Sequence, residues 1–168
     1  DMIYPDGDDY INMRRQWWGV KLLWEQYFDI IDRGAFSLGY AVEGVFTNHA
    51  ALDSVEATEL SAPQYAPLLH SRMIYMPEFR ANYYLGVGIM PTVRIIENLY
   101  ARLSVYAMWR DRYMGDVMHY MSDFSLIYHT PIGPVSLALT KYDFNTTNNM
   151  YLTFNFGYAI FGQKGLFY

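Results

Sequence analysis

The chain has no cysteine, which excludes disulfides and thiolate metal sites. That absence suits an envelope protein without proving an oxidising compartment. It also lacks any apolar run of about eighteen residues, so no transmembrane helix is expected. Basic residues are in the minority, with 12 Lys and Arg against 17 Asp and Glu and a net charge of -5. Without a basic footprint, nucleic acid is not an expected partner. No G-x-S-x-G elbow occurs, so the nucleophile of a lipase or esterase is missing. Gly86-Val87-Gly88 opens a dinucleotide-like pattern but has neither the third glycine nor a following helix. The four histidines, His49, His70, His119 and His129, have no metal-ligand spacing. Asn145-Thr146-Thr147 matches a glycosylation sequon, a triplet too common to carry weight. No catalytic, cofactor-binding or metal residue is therefore expected in this segment.

What is present is alternation. Hydrophobic residues make up 52% of the 168, and aromatics 18%, with 17 Tyr and 4 Trp. The length suits one domain. Residues 150–161 read M-Y-L-T-F-N-F-G-Y-A-I-F. Met150, Leu152, Phe154, Phe156, Tyr158 and Ile160 fall on one phase, and Thr153, Asn155, Gly157 and Ala159 on the other. A period of two is a strand with one apolar face and one polar or small face.

The pattern recurs six more times. Residues 16–31 place Trp18, Val20, Leu22, Trp24, Phe28 and Ile30 on one face. A turn at 32–34 leads to 35–46, with Phe36, Leu38, Tyr40, Val42 and Phe46 on the matching face, a hairpin whose partners sum to about 66. Residues 79–89 put Phe79, Ala81, Tyr83, Leu85, Val87 and Ile89 one way, and the segment around Pro91 reads as a turn. Strands are expected again over 99–109, 118–130 and 135–140, the last two joined by the tight turn Pro131-Ile132-Gly133-Pro134. Residues 1–15 read as a loop or the end of a truncated strand, and the start at Asp1 as that of a mature or excised segment.

Strands of about ten residues with an apolar and a polar side fit an antiparallel transmembrane β-barrel, lipid outside and lumen inside. Connections are short at 32–34, 91–97 and 131–134 and longer at two of the three others, as periplasmic turns alternate with outer loops. This predicts a bacterial outer-membrane segment over 16–168, its C-terminus periplasmic and its long loop 48–78 extracellular. Seven strands do not close a bacterial barrel of even count, and open edges in lipid cost several kcal/mol per unpaired group. The segment is therefore expected to be the C-terminal part of a larger barrel.

On that reading Leu152, Phe154, Phe156, Tyr158 and Ile160 face lipid. Trp17, Trp18, Trp24 and Trp109 form an aromatic girdle, a reading preferred to a carbohydrate platform. Lys21, Glu25, Glu43, Arg80, Arg102 and Asp123 share the polar phase and line the lumen. His129 is a lumen or rim residue. The six charges are either a solvated wall, where pairs are worth little, or an ion-pair network that narrows a pore.

The segment 128–139, Y-H-T-P-I-G-P-V-S-L-A-L, followed by an Asn-rich loop and residues 150–161, resembles the end of the BamA, TamA and FhaC outer-membrane assembly-factor superfamily. Residues 71–88, S-R-M-I-Y-M-P-E-F-R-A-N-Y-Y-L-G-V-G, look most like the barrel of the Bacteroidetes patatin-like phospholipases. The resemblance implies a sixteen-stranded barrel, with the loop at 48–78 as its sixth outer loop, although the V-R-G-F-type motif of that loop is absent. It implies a segment that anchors and presents, or translocates, an upstream phospholipase domain whose catalytic residues lie before Asp1. Its implied partners are outer-membrane lipid, the rest of the barrel from the chain or another protomer, and the barrel-assembly machinery. An insertase or secretion pore of that superfamily, a free-standing eight-stranded structural or adhesion barrel, and a soluble β-sandwich remain as alternatives.

Overall fold

The structure, a computed structural model, describes residues 18–31, 35–47, 62–110, 118–143 and 150–157. It is all-β: a single sheet of seven antiparallel strands in sequence order. They are β1 (Gly19–Ile31), β2 (Phe36–Thr47), β3 (Tyr83–Ile96), β4 (Leu99–Arg110), β5 (Met118–Thr130), β6 (Gly133–Tyr142) and β7 (Met150–Phe156). The sheet is open, with β1 and β7 as its edges.

Alternation gives the sheet two unlike faces. One bears Leu22, Trp24, Val87, Ile89, Trp109, Leu152, Phe154 and Phe156, all exposed; it is called the bare face. The other carries Glu43, Tyr84, Tyr106, Met108, His119, Met121, Asp123, Thr140 and Tyr142, all buried; it is the covered face. What covers it is the connection between β2 and β3. Its described part includes a short helix, α1 (Leu69–Met73), and a 3-10 turn, Pro77–Phe79. This strap lies across the sheet and closes the hydrophobic core, in which Tyr65, Leu68, Met76 and Phe79 meet Tyr84, Tyr106, Met108, Met121 and Tyr142.

The first hairpin pairs Leu23 with Glu43 and Gln26 with Tyr40, sums of 66, the register expected from its turn. Two readings along the chain are corrected. Pro91 does not turn: β3 runs through it to Ile96, and the reversal is at Glu97-Asn98. Pairing toward β2 is continuous, with Gly39 opposite Met90 and Leu38 opposite Pro91, while pairing toward β4 passes from Ile89–Val105 to Thr92–Arg102. A proline lacks only one donor, and the strand tolerates it because the lost rung falls on one side without shifting the register. Phe79 and Ala81 do not continue the outward phase of β3. They precede the strand and are fully buried under the strap at 0% exposure.

Candidate functional site

Among the described residues, polar, charged and aromatic side chains converge on the covered face. Its strapped part is built on missing side chains. A Cβ at Gly86 would collide with the Tyr65 ring, and one at Gly88 with the Tyr106 ring. Glycine permits this close approach, so Tyr65 lies flat where β3 offers no side chain. Tyr65 then packs on Tyr84 and Tyr106 at ring separations of 5.6 and 6.5 Å. Backbone bonds fix the strap ends: Tyr65 N donates to Phe79 O at 2.8 Å and Ala81 N to Pro63 O at 3.2 Å. Gln64 Nε2 ties the helix by donating to Ser71 O and Ile74 O at 2.7 and 3.1 Å. Burial raises the Tyr65 phenol pKa, and the Glu43 carboxylate and Tyr106 add to the rise; it stays neutral.

Five of the six charges expected on the polar phase, Lys21, Glu25, Glu43, Arg102 and Asp123, lie on strands with that phase on the covered face. Lys21 Nζ is 2.8 Å from Glu43 Oε1, and the Tyr84 hydroxyl donates to the same oxygen at 2.5 Å. Glu25 accepts from Tyr27 at 2.5 Å, and Asp123 from Thr140 at 2.8 Å. Arg80, the sixth, is not on a strand. It belongs to the strap, where its Nε donates to Gln64 Oε1 at 3.2 Å, its Nη1 donates to Ala62 O at 3.0 Å, and its guanidinium lies 4.8 Å from the Tyr75 ring centre.

On the closing strand Leu152, Phe154 and Phe156 are exposed on the bare face; Tyr158 and Ile160 lie outside the described residues. Trp17 also lies outside them. Trp18 stacks on Phe46 at 5.3 Å just before β1, and Trp109 is near the end of β4, but Trp24 sits mid-strand in β1. The loop 48–78, expected at the cell surface, is described only over 62–78, and that part is packed onto the sheet. His129 is exposed near the end of β5 with its ring 5.2 Å from Tyr100.

Sequence reasoning missed the anchor of α1. His70 Nδ1 is 2.8 Å from the Tyr142 hydroxyl, and its ring stacks on Tyr151 at 4.5 Å. Burial lowers the His70 pKa from its ordinary value, with the Asp123 carboxylate opposing. Nothing in the sequence around His70 marks it; the available signal was the Gly86-Val87-Gly88 run on the inward phase, which leaves room for a strap. His119 Nδ1 pairs with Asp143 Oδ2 at 3.0 Å, a second inward contact outside the expected set. Beyond the strap the face opens into a cavity of about 200 Å³ walled by hydroxyls and amides, among them Ser104, Ser125, Ser136, Thr153 and Asn155. Among the described residues no group of three His, Asp or Glu is placed to hold a metal ion. No protein-family model, curated protein or solved structure matches the chain.

Proposed function

We propose that the chain is part of the wall of a bacterial outer-membrane β-barrel, with the bare face toward lipid and the covered face toward the lumen. Its role is to anchor and present an upstream domain, a patatin-like phospholipase on the resemblance of residues 71–88 and 128–161. The observation that carries this reading is the partition of charge. In the described strands Lys21, Glu25, Asp29, Glu43, Arg94, Arg102, Arg110 and Asp123 all take the covered phase. Lys141, one residue from the end of β6, is the one strand charge on the bare phase. A charge at the bilayer midplane costs about 2–4 kcal/mol, whereas a soluble sheet has no reason to keep an exposed face free of charge except at one strand end. Exposed apolar surface of this extent marks an interaction with lipid or protein. The first six strands span 10 to 14 residues, enough for the roughly 9–11 that a tilted strand needs to cross.

Closure supports a larger wall. In an antiparallel meander β1 and β7 run in the same direction. Joining them directly, or to a second copy arranged about the barrel axis, makes a parallel seam; an antiparallel seam needs an odd number of further strands. A sixteen-stranded barrel supplies nine beyond these seven (16 − 7). The strap favours anchoring over conduction, since it fills much of the covered face.

Expression of the full-length parent chain in cells, followed by membrane fractionation and gel migration with and without heating, tests the reading. The expected result is an outer-membrane species released only by detergent, whose folded form migrates differently from the boiled one. A parent chain that is soluble without detergent would overturn it.

A further inference from the structure

At the end of the covered face away from the strap, near the β1–β2, β3–β4 and β5–β6 turns, lies a separate cavity of about 270 Å³. No strap residue lines it. Register builds it from two adjacent rows. Asp29, Ser37, Thr92 and Arg102 are successive cross-strand partners on β1 to β4. Arg94 and Tyr100 form the next row, also paired directly. Side chains two residues apart on one face stand together, so both arginines line the same space, the Arg102 guanidinium also lying 6.0 Å from the Tyr27 ring centre.

Their hydrogen bonding sets them apart from the other cations of this face. Arg102 Nε donates to Thr92 Oγ1 at 3.2 Å, which holds the guanidinium plane and leaves its Nη nitrogens without an acceptor among the described residues. Arg94 has only its backbone committed, N to Ala35 O at 2.9 Å; its guanidinium has no hydrogen bond or ion pair among the described residues. Lys21, by contrast, is taken up by Glu43, and Arg80 by the strap. Among the described residues that line the cavity, two guanidinium groups face one carboxylate, Asp29, a surplus of one positive charge (2 − 1) in a chain whose net charge is -5, while Asp123, outside the lining, also attracts Arg102. The Ser37, Thr92 and Tyr100 hydroxyls add neutral donors to its wall.

We propose that this cavity binds a phosphate-type oxyanion, free or carried on an ester, with Arg94 and Arg102 as its charged donors. A planar fork of N–H groups matches the oxygens of such an anion in a way that a lysine does not. Two forks converging from adjacent rows grip two edges of one tetrahedral group. Asp29, on the edge strand, repels a dianion and sets an upper bound on affinity. The proposal rests on the cavity and does not depend on the membrane reading.

The test uses the whole chain in detergent micelles, with ³¹P line broadening as the readout. Inorganic phosphate is titrated against a chloride control of matched ionic strength. A second arm uses mixed micelles of phosphatidic acid, with phosphatidylcholine as reference. Saturable binding is expected, weakened about ten-fold or more in Arg94→Gln, the loss of one charge-assisted contact. Among the described residues the Arg94 side chain has no hydrogen bond or ion pair to lose, so this variant is expected to keep the fold, which circular dichroism verifies. Asp29→Asn is expected to tighten binding, a change that no structural role of Asp29 would produce. Binding in both arms means that the phosphate group alone is recognised; binding confined to phosphatidic acid and lost in Arg94→Gln assigns a lipid headgroup. No saturable binding in either arm, unchanged affinity in Arg94→Gln, or weaker binding in Asp29→Asn would each overturn the proposal.

Discussion

Phe79 and Phe154 are the same side chain on the two sides of one sheet, at 0% and 67% exposure. The covered face spends its aromatic rings on a strap that the chain folds back over itself, and the bare face presents rings to whatever surrounds the protein. Both faces follow from period two; only one finds its partner within the described chain. Alternation assigns a side chain to a face, while the energetic meaning of that face depends on what comes to cover it.

The largest contrast is expected on removing a ring from each side. Phe79 packs edge-on against His119 and Tyr142 at 5.4 and 5.8 Å, in a site with no solvent access. Phe79→Ala is expected to cost about 3–5 kcal/mol, transfer plus cavity. Phe124→Ala, on the bare face, should cost under about 1 kcal/mol in detergent, where the micelle fills the gap. Urea unfolding of the detergent-solubilised chain measures both. Equal losses would mean that the strap is not the core of this protein.

Next in size is a charge placed on each face of β7. Phe154→Arg should block stable insertion, at a cost of about 2–4 kcal/mol near a midplane. Asn155→Arg, one residue on and facing the cavity lined by Thr153 and Ser136, should be far milder. Heat-modifiable gel migration reports the folded fraction. Equal damage at both positions would remove the lipid assignment of the bare face.

The seven strands and their phases were readable because every strand keeps its period, and the first register because the turn is short. Phe79 and Ala81 were misread for a physical reason. They extend the outward phase of β3 without a break, and a residue buried under a strap has the same composition as one buried in lipid. Pro91 was misread because a proline that loses one rung looks, in sequence, like one that ends a strand. The cavity between Arg94 and Arg102 was half legible. Arg102 lay on the polar phase, but Arg94 fell in the stretch read as a turn, so its row was invisible until β3 was seen to continue. His70 was illegible because its partners, Tyr142 and Tyr151, lie more than seventy residues on, across three hairpins.

A smaller effect separates the strap from the bare face by pH. The folded-state pKa of His70 lies below its unfolded value because burial disfavours the charged ring. Above the unfolded value, about 6.5, the ring is neutral in both states and its contribution is intact. As pH falls below that value the unfolded chain takes up the proton first, so stability declines until the lowered folded pKa is passed. Thermal unfolding at pH 8 and pH 5 should show a larger drop for the wild type than for His70→Gln. Bare-face variants such as Phe124→Ala should keep the wild-type drop. An identical pH response in His70→Gln would show that this anchor does not carry the effect.

The smallest expected effect tests the covered face from within. Lys21 and Glu43 are diagonal neighbours across the first hairpin, 2.8 Å apart, with side-chain exposures of 42% and 5%. The lysine remains in solvent for almost half its surface, so Coulombic attraction is screened and the pair should be worth at most about 1 kcal/mol. Glu43 also accepts from Tyr84, so the two single changes should differ. Lys21→Met leaves the Tyr84 bond in place and should alter stability by under about 1 kcal/mol. Glu43→Leu leaves the buried hydroxyl only its long contact to Gln64 O at 3.5 Å and should cost about 1–3 kcal/mol, whereas Glu43→Gln retains an acceptor and should fall between them. The cycle is Lys21→Met with Glu43→Gln, read by unfolding in detergent, and a coupling of about 0.5–1 kcal/mol is expected. Strict additivity would mean that the contact contributes nothing in solution. A coupling well above this range would mean that the surroundings of Lys21 and Glu43 exclude water, and that the covered face is drier there than the 42% exposure of Lys21 implies.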